Sequence, residues 1–124
     1  MIDHTSVSVS DYEKAKEFYQ KALATLGYKL SADLAQYKAA GFEQGGKADF
    51  WIGVRDAMAP THVAFAADSK EAVEQFHTAG VAAGGKDNGA PGYRTDYSPG
   101  YYASFVRDMD GNNIEVVWHD PSKK

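Results

Sequence analysis

The chain has 124 residues and a formal net charge of −4, with 44% hydrophobic and 13% aromatic residues, which is typical of one folded domain. Lys and Arg are scattered among acidic residues without a basic stripe, which argues against a nucleic-acid partner, and the absence of Cys leaves His, Asp and Glu as the available metal ligands. Neither a long apolar run nor a signal-peptide pattern is present, so we expect a cytoplasmic protein with no membrane partner.

The first half of the chain predicts a strand, a helix and three short strands. The stretch "IDHTSVSVS" (2–10) alternates Val with small polar residues, which predicts a strand. Ser10 followed by Glu13 has the capping-box pattern and predicts the start of a helix, "DYEKAKEFYQKALATL" (11–26), that ends before Gly27. Three short strands are then indicated by "YKLSA", "QYKAAGF" and "ADFWIGV".

The same order of elements is predicted after Pro60. A strand is indicated by "THVAFAA", the pair Asp68 and Glu71 repeats the capping-box pattern, and "KEAVEQFHTAGVAA" predicts a helix. Gly80 within this helix costs roughly 1 kcal/mol relative to Ala, so we expect a close packing contact there. The segment "GKDNGAPGYRTDYSPG" is expected to be mostly loop with one short strand near 86–88, and "YYASFV" and "IEVVW" predict the last two strands.

The two halves share residues at a constant offset. Three identities are separated by 58 positions: His4 and His62, Phe18 and Phe76, and Gly27 and Gly85. A β-α-β-β-β unit that is repeated once explains this spacing. We therefore expect one domain over 1–124, with module one at about 1–56 and module two at about 61–119.

Three polar side chains on predicted strand faces form a candidate metal site: His4, His62 and Glu115. Side chains alternate between the two faces of a strand, so each of the three lies opposite the large apolar residues of its own strand. Two His and one carboxylate form a facial triad that suits non-haem Fe(II) or catalytic Zn²⁺ and leaves coordination positions open. Taken singly, a strand His is more often a hydrogen-bonded structural residue, and a strand Glu is more often solvent-facing or ion-paired.

The chain resembles a known family, the vicinal oxygen chelate superfamily, which includes glyoxalase I, bleomycin-resistance, fosfomycin-resistance and extradiol dioxygenase proteins. The resemblance rests on "DHTSVSVSDYEKAKEFYQKALATLGYK", "THVAFAADSKEAVEQFH" and "FVRDMDGNNIEVV". The last stretch is similar to the family pattern F-V-x-D-P-D-G-N-x-I-E, with Met109 in place of Pro. The resemblance implies an α+β fold in which two βαβββ modules form a cupped, partly open mixed β-barrel with flanking helices.

The same resemblance implies a cofactor and partners. A divalent metal ion (Zn, Ni, Mn or Fe) is expected on His4, His62 and Glu115, together with a small-molecule substrate. A homodimer is also expected, and in such dimers the modules of two chains sometimes share one site. His4 would then come from one subunit and the other two ligands from its partner.

Two functions follow from the resemblance. The first is a metal-dependent lyase, transferase or dioxygenase that chelates vicinal oxygens of a small substrate. Glyoxalase I itself is disfavoured, because Trp51 aligns with the strand position of Glu115, where glyoxalase I carries a second ligand Glu. The alternative is a metal-free binding protein of the bleomycin-resistance type that sequesters a small planar molecule.

Further candidate residues surround the predicted triad. Tyr97, Tyr101 and His119 are candidate catalytic groups, since hydroxyls can donate hydrogen bonds to an oxyanion and an imidazole can act as a base or a fourth ligand. The candidate substrate-binding residues are Trp51, Tyr93, Arg94 and Tyr102. These side chains are equally able to pack the loop, fill the cavity or face solvent. His77, which follows a core aromatic on the second helix, is expected to be structural.

Overall fold

A computed structural model describes residues 2–55 and 59–123. In chain order its helices and strands are β1 (Thr5–Val9), α1 (Tyr12–Leu23), β2 (Lys29–Leu34), β3 (Ala39–Glu43), β4 (Ala48–Val54), β5 (His62–Ala66), α2 (Lys70–Ala82), β6 (Lys86–Tyr93), β7 (Tyr101–Arg107) and β8 (Asn113–His119). Single 3-10 turns follow α1 at Ala24–Leu26 and β2 at Ala35–Tyr37. The boundary predicted for module one, near residue 56, falls outside the described residues.

Each module forms one four-stranded mixed sheet. The strand orders are β1-β4-β3-β2 and β5-β8-β7-β6, and in each sheet the first strand of the module pairs in parallel with the last. The remaining neighbours are antiparallel. The predicted α+β fold with two βαβββ modules is therefore confirmed, and within the described residues the two sheets stay separate and do not close into a barrel.

The core lies on the sheet faces that meet the helices. Val7 and Val9 are 1% and 0% exposed, as the alternation in the first strand predicts. The helices α1 and α2 contact each other. Phe65 of β5 joins the two modules, because its ring centroid lies 5.1 Å from that of Phe50 and 5.5 Å from that of Tyr28. Phe50 and Phe65, which are 1% and 7% exposed, each contribute about 1.5–3 kcal/mol through burial.

The turn between β7 and β8 also ties module two to module one. The Asp108 carboxylate, which is 4% exposed, accepts hydrogen bonds from the Tyr19 hydroxyl at 2.6 Å and from the Asn112 side-chain amide at 2.8 Å. The same amide donates to the carbonyl oxygen of Ser8 at 2.9 Å. Burial first, and then the charge of Asp108, raises the pKa of Tyr19 well above its usual range, so this hydroxyl remains a donor.

Both helices begin one residue later than the capping boxes predict. The N-caps are Asp11 and Ser69, whose side chains accept the backbone N–H three residues further on. Ser10 and Asp68 were therefore the wrong caps. Each sits directly before a second residue that caps equally well. The backbone N–H of Ser10 donates to Asp110 of the other module at 3.0 Å.

The strand predicted near 86–88 is present but extends over 86–93, so much of the segment expected to be loop belongs to the sheet. Its pairing with β7 shifts register around Gly89 and Gly92, which absorb the irregularity. A Cβ atom on Gly89 would lie 2.8 Å from the Phe105 ring, so the close approach of the two strands requires glycine there. No helix in 2–55 or 59–123 is long and apolar enough to cross a bilayer.

Candidate functional site

The pair His62 and Glu115 lies on the open face of the second sheet, opposite α2. His62 starts β5, and Glu115 lies at the centre of the neighbouring strand β8. The Nε2 atom of His62 is 3.0 Å from Oε1 of Glu115, and its Nδ1 atom is 3.0 Å from the carbonyl oxygen of Asn113. Since a carbonyl oxygen only accepts, Nδ1 carries the proton. Nε2 then faces the Glu115 carboxylate.

Tyr101 is hydrogen-bonded to the other carboxylate oxygen of Glu115. Its hydroxyl donates a short hydrogen bond to Oε2, and burial followed by this hydrogen bond raises the pKa of Tyr101 to about 12. The Tyr101 ring makes edge contacts with Tyr97 and His119, at centroid distances of 5.1 Å and 5.3 Å. The structure thus brings all three candidate catalytic side chains together around Tyr101, which is the one bonded to Glu115.

His4 lies immediately before β1, on the other module. Its Nδ1 atom is 2.7 Å from Oδ1 of Asp3, and Asp3 also pairs with Lys47. The Lys47 ammonium, and after it His4, lowers the pKa of the Asp3 carboxyl. Nε2 of His4 is left available, and slightly more than half of the side chain is exposed.

One cavity of about 670 Å³ is lined by both His4 and His62, together with Tyr28 and Asp49. Glu115 does not line this cavity. Across the described ranges 2–55 and 59–123, no group of three His, Asp or Glu side chains is close enough to hold a metal ion. One chain therefore brings His62 and Glu115 into contact, and its described residues do not combine this pair with His4 into a three-ligand group.

Trp51 lies on the open face of the first sheet. It pairs with Ser6, as Glu115 pairs with Ala64, and Ser6 and Ala64 are themselves separated by the repeat length of 58. Trp51 is thus the module-one counterpart of Glu115. Its indole lies flat over Gly41, where an added Cβ atom would be 2.9 Å from the ring.

Tyr93 and Tyr102, predicted as substrate-binding residues, face the helix side of the second sheet and not the side of the His62–Glu115 pair. Tyr102 is 5% exposed and donates to Glu74 of α2 at 2.7 Å, while Tyr93 donates to Asp120 at 2.7 Å. Alternation along the strand is the cause, since of the adjacent Tyr101 and Tyr102 only Tyr101 can face Glu115.

Phe105 is a site residue that the sequence predictions missed. It is the direct cross-strand partner of Glu115, and the guanidinium carbon of Arg94 lies 5.3 Å from its ring centroid. The Arg94 side chain donates to the carbonyl oxygens of Ala90 and Gly92, both at 2.8 Å. The alternation that was used for the other strands, if applied to "YYASFV", would have placed Phe105 on this face.

The chain is therefore a paired-module α+β protein, with two βαβββ modules and an imidazole–carboxylate pair on the open face of the second sheet. The chain belongs to the Glyoxalase/Bleomycin resistance protein/Dioxygenase superfamily, whose family model matches residues 1–116. This confirms the family resemblance. A comparison with curated proteins finds no match.

Solved structures share the fold over nearly their whole length. A glyoxalase/bleomycin resistance protein from Albidiferax ferrireducens T118 is 31% identical, with a TM-score of 0.81 over 94% of this chain and 97% of that one. Lactoylglutathione lyase from Agrobacterium tumefaciens is 21% identical, with a TM-score of 0.70 over 95% and 92%. The fosfomycin resistance protein FosX from Listeria monocytogenes is 19% identical, with a TM-score of 0.71 over 98% and 95%. The last two show the fold alone.

Proposed function

We propose that the protein is a metal-dependent enzyme that binds a divalent cation at His62 and Glu115 and acts on a small molecule with adjacent oxygen atoms. The contact that carries the proposal is the 3.0 Å approach of His62 Nε2 to Glu115 Oε1, with Nδ1 already engaged by Asn113. Imidazole and carboxylate are suitable ligands for Zn, Ni, Mn and Fe. A hydrogen bond from the second ring nitrogen is also the usual way of orienting a metal-binding His.

We assign the third ligand to His4 of a second subunit in a homodimer. Its Nδ1 atom is bonded to Asp3, which leaves Nε2 as a ligand in the same tautomeric arrangement as in His62. Within one chain, the described residues do not bring His4 to the other two ligands. Two chains that exchange modules would complete the set.

The surrounding side chains have roles that follow from their contacts. A bound metal would act as a Lewis acid on the substrate oxygens. Tyr101, with a pKa of about 12, keeps its proton at neutral pH and acts as a hydrogen-bond donor rather than as a base. His119, at the exposed end of β8 and in contact with Tyr101, is the group on this face that can accept and return a proton.

The residue that stands in module one at the position equivalent to Glu115 limits the reaction class. Trp51 stands where a second carboxylate ligand would complete a four-ligand site, and an indole neither binds a divalent metal nor acts as a base. We therefore favour three-ligand lyase, transferase or dioxygenase chemistry over the glyoxalase I reaction. The alternative, metal-free sequestration of a planar molecule, is supported by the flat indole surface over Gly41.

Metal binding by the purified protein tests this proposal. Calorimetric titration of the chelator-treated protein with Zn²⁺, Ni²⁺, Mn²⁺ and Fe²⁺ is expected to show tight binding of at least one of them. We expect His62→Ala and Glu115→Gln to weaken that binding about 100-fold or more. The control is His77→Ala, because His77 pairs with Asp87 away from the site, at 2.9 Å. A wild-type protein that binds none of the four metals is instead the metal-free binding protein.

A further inference from the structure

The open face of module two holds a second recognition group, the guanidinium of Arg94. We propose that Arg94 binds an oxyanion and that the substrate is a planar small molecule with a carboxylate or phosphate group remote from its metal-chelating oxygens. That this molecule has a metal-chelating end rests on the proposed function. That it has an anionic end is inferred from the contacts of Arg94 alone.

The guanidinium is held in place before any ligand arrives. Its Nη1 and Nη2 atoms donate to the carbonyl oxygens of Gly92 and Ala90, both at 2.8 Å, and its plane lies over the Phe105 ring. Two glycines leave room for it, since a Cβ atom on Gly92 or Gly89 would lie 3.2 Å from one of its nitrogens. A side chain already fixed in this way loses little conformational entropy when it binds a ligand.

The charge of Arg94 is not neutralised by the described residues. Both of its acceptors are neutral carbonyl oxygens, and none of the ion pairs within 2–55 and 59–123 involves it. A guanidinium has five N–H donors, so further donors remain available to a ligand. Their planar fork matches a carboxylate or a phosphate, which can accept two parallel hydrogen bonds.

The distance between Arg94 and Glu115 sets the size of a molecule that can reach both the guanidinium and the carboxylate. Phe105, which lies beneath the guanidinium, is the cross-strand partner of Glu115, and such partners have Cβ atoms about 4.5–5.5 Å apart. The guanidinium is therefore on the order of 10 Å from the Glu115 carboxylate, the span of a single substituted ring. The Tyr101 ring, whose hydroxyl is bonded to Glu115, and the Tyr97 ring in edge contact with it suit a flat ligand.

Binding of simple aromatic anions to the metal-free protein tests the proposal. In the presence of EDTA, benzoate and phenyl phosphate are titrated against the neutral analogue benzamide and followed by NMR chemical-shift changes. We expect the better of the two anions to bind at least about tenfold more tightly than benzamide, since one charge-assisted bidentate contact contributes that much. The preferred anion identifies the carboxylate or the phosphate class.

Substitutions then locate the effect. Arg94→Gln is expected to weaken binding of the preferred anion about tenfold and to leave benzamide unchanged. The matched control is Lys86→Gln, which removes the same charge from β6, the strand that Arg94 directly follows, and should have little effect. Gly92→Ala keeps the charge but crowds Nη1 of Arg94, so it should weaken anion binding. Thermal unfolding of this variant is measured in parallel to show that it remains folded.

Three outcomes would overturn the proposal. These are equal affinity for anions and benzamide, no detectable binding of either anion at millimolar concentration, and an equal loss in Lys86→Gln. Because no metal is present, the result is independent of the metal titrations of the His62 and Glu115 variants. A failure of the anion subsite is thus distinguishable from a failure of the metal site.

Discussion

Trp51 and Glu115 hold the same strand position in the two modules, yet their surroundings differ. Glu115 is 3% exposed, and a buried carboxylate is stable only with partners, which His62 and Tyr101 provide. Trp51 instead lies over Gly41, the one residue type that leaves space for an indole there. The repeat has therefore kept the backbone position in both modules while the two side chains differ in chemistry.

Replacing Trp51 with Glu is expected to strengthen metal binding. In the proposed dimer the new carboxylate would stand beside His4 and supply the fourth ligand, which we expect to lower the Kd for Zn²⁺ about tenfold or more. Competition with a chromophoric chelator measures the change. Trp51→Gln removes the same indole without adding charge and should give no increase. Equal affinities for the two variants would show that Trp51 does not border the metal site.

The alternation of side chains along a strand predicted, from sequence, the sheet face on which most single residues lie. It correctly placed Val7 and Val9 in the core and His62 on the face of Glu115. Applied to the predicted strand "YYASFV", the same alternation separates Tyr101 from Tyr102, and the structure has them on opposite faces. Whether His4 meets the other two ligands depends on how the modules pack, and strand periodicity carries no information about packing between modules.

Among the elements, α2 and β7 pack through glycines. The close contact expected at Gly80 is confirmed, because a Cβ atom there would lie 3.3 Å from both methyl groups of Val106. The packing around Gly85, just after the helix, is closer still. A Cβ atom on Gly85 would lie 2.5 Å from Val106 Cγ1 and 2.7 Å from Phe18 of α1. These two glycines therefore set the distance between helix α2, strand β7 and the helix of module one.

Gly85→Ala is expected to destabilise the fold by roughly 1–3 kcal/mol, because the added methyl group overpacks a contact that joins three elements. Thermal unfolding measured by circular dichroism should show a midpoint lowered by several degrees. Gly53→Ala is the matched control, since its nearest neighbour would be a carbonyl oxygen at 3.9 Å and little change is expected. A Gly85→Ala protein as stable as wild type would contradict this packing.

Element types were easier to predict than element boundaries. Hydrophobic periodicity located both helices and seven of the strands, because it reflects which face is buried. The residues of β6 include two glycines and a proline, which individually disfavour strands, yet pairing with β7 and irregularities at the glycines hold the segment in the sheet. The helix caps were missed by one residue because neighbouring positions offered equivalent side chains.

At the scale of the whole molecule, contacts between modules hold the two open faces in a fixed relation. The Asp108–Tyr19 hydrogen bond and the Phe50–Phe65 contact lie on the helix side of the sheets, so both modules bury that side together. The faces that carry Trp51 and Glu115 point away from this shared core. A second chain that brought its own module one against Glu115 would cover both faces and complete the proposed ligand set.

Mixed dimers distinguish a shared site from a site within one chain. Subunits with His4→Ala and with Glu115→Gln are co-expressed with different tags, and the mixed dimer is isolated by two affinity steps. If each site combines two subunits, one site of the mixed dimer contains both substitutions and the other contains neither. We then expect one tightly bound metal per mixed dimer, although each variant alone binds weakly.

A mixed dimer of His77→Ala and Glu115→Gln calibrates the titration, since it keeps one intact site in either arrangement and should bind one metal. A His4→Ala and Glu115→Gln mixture that matches this control establishes the exchange of modules between subunits. If that mixture instead binds as weakly as its parents, both sites have been damaged. His4 then acts within its own chain, and the 670 Å³ cavity that it shares with His62 is where its role lies.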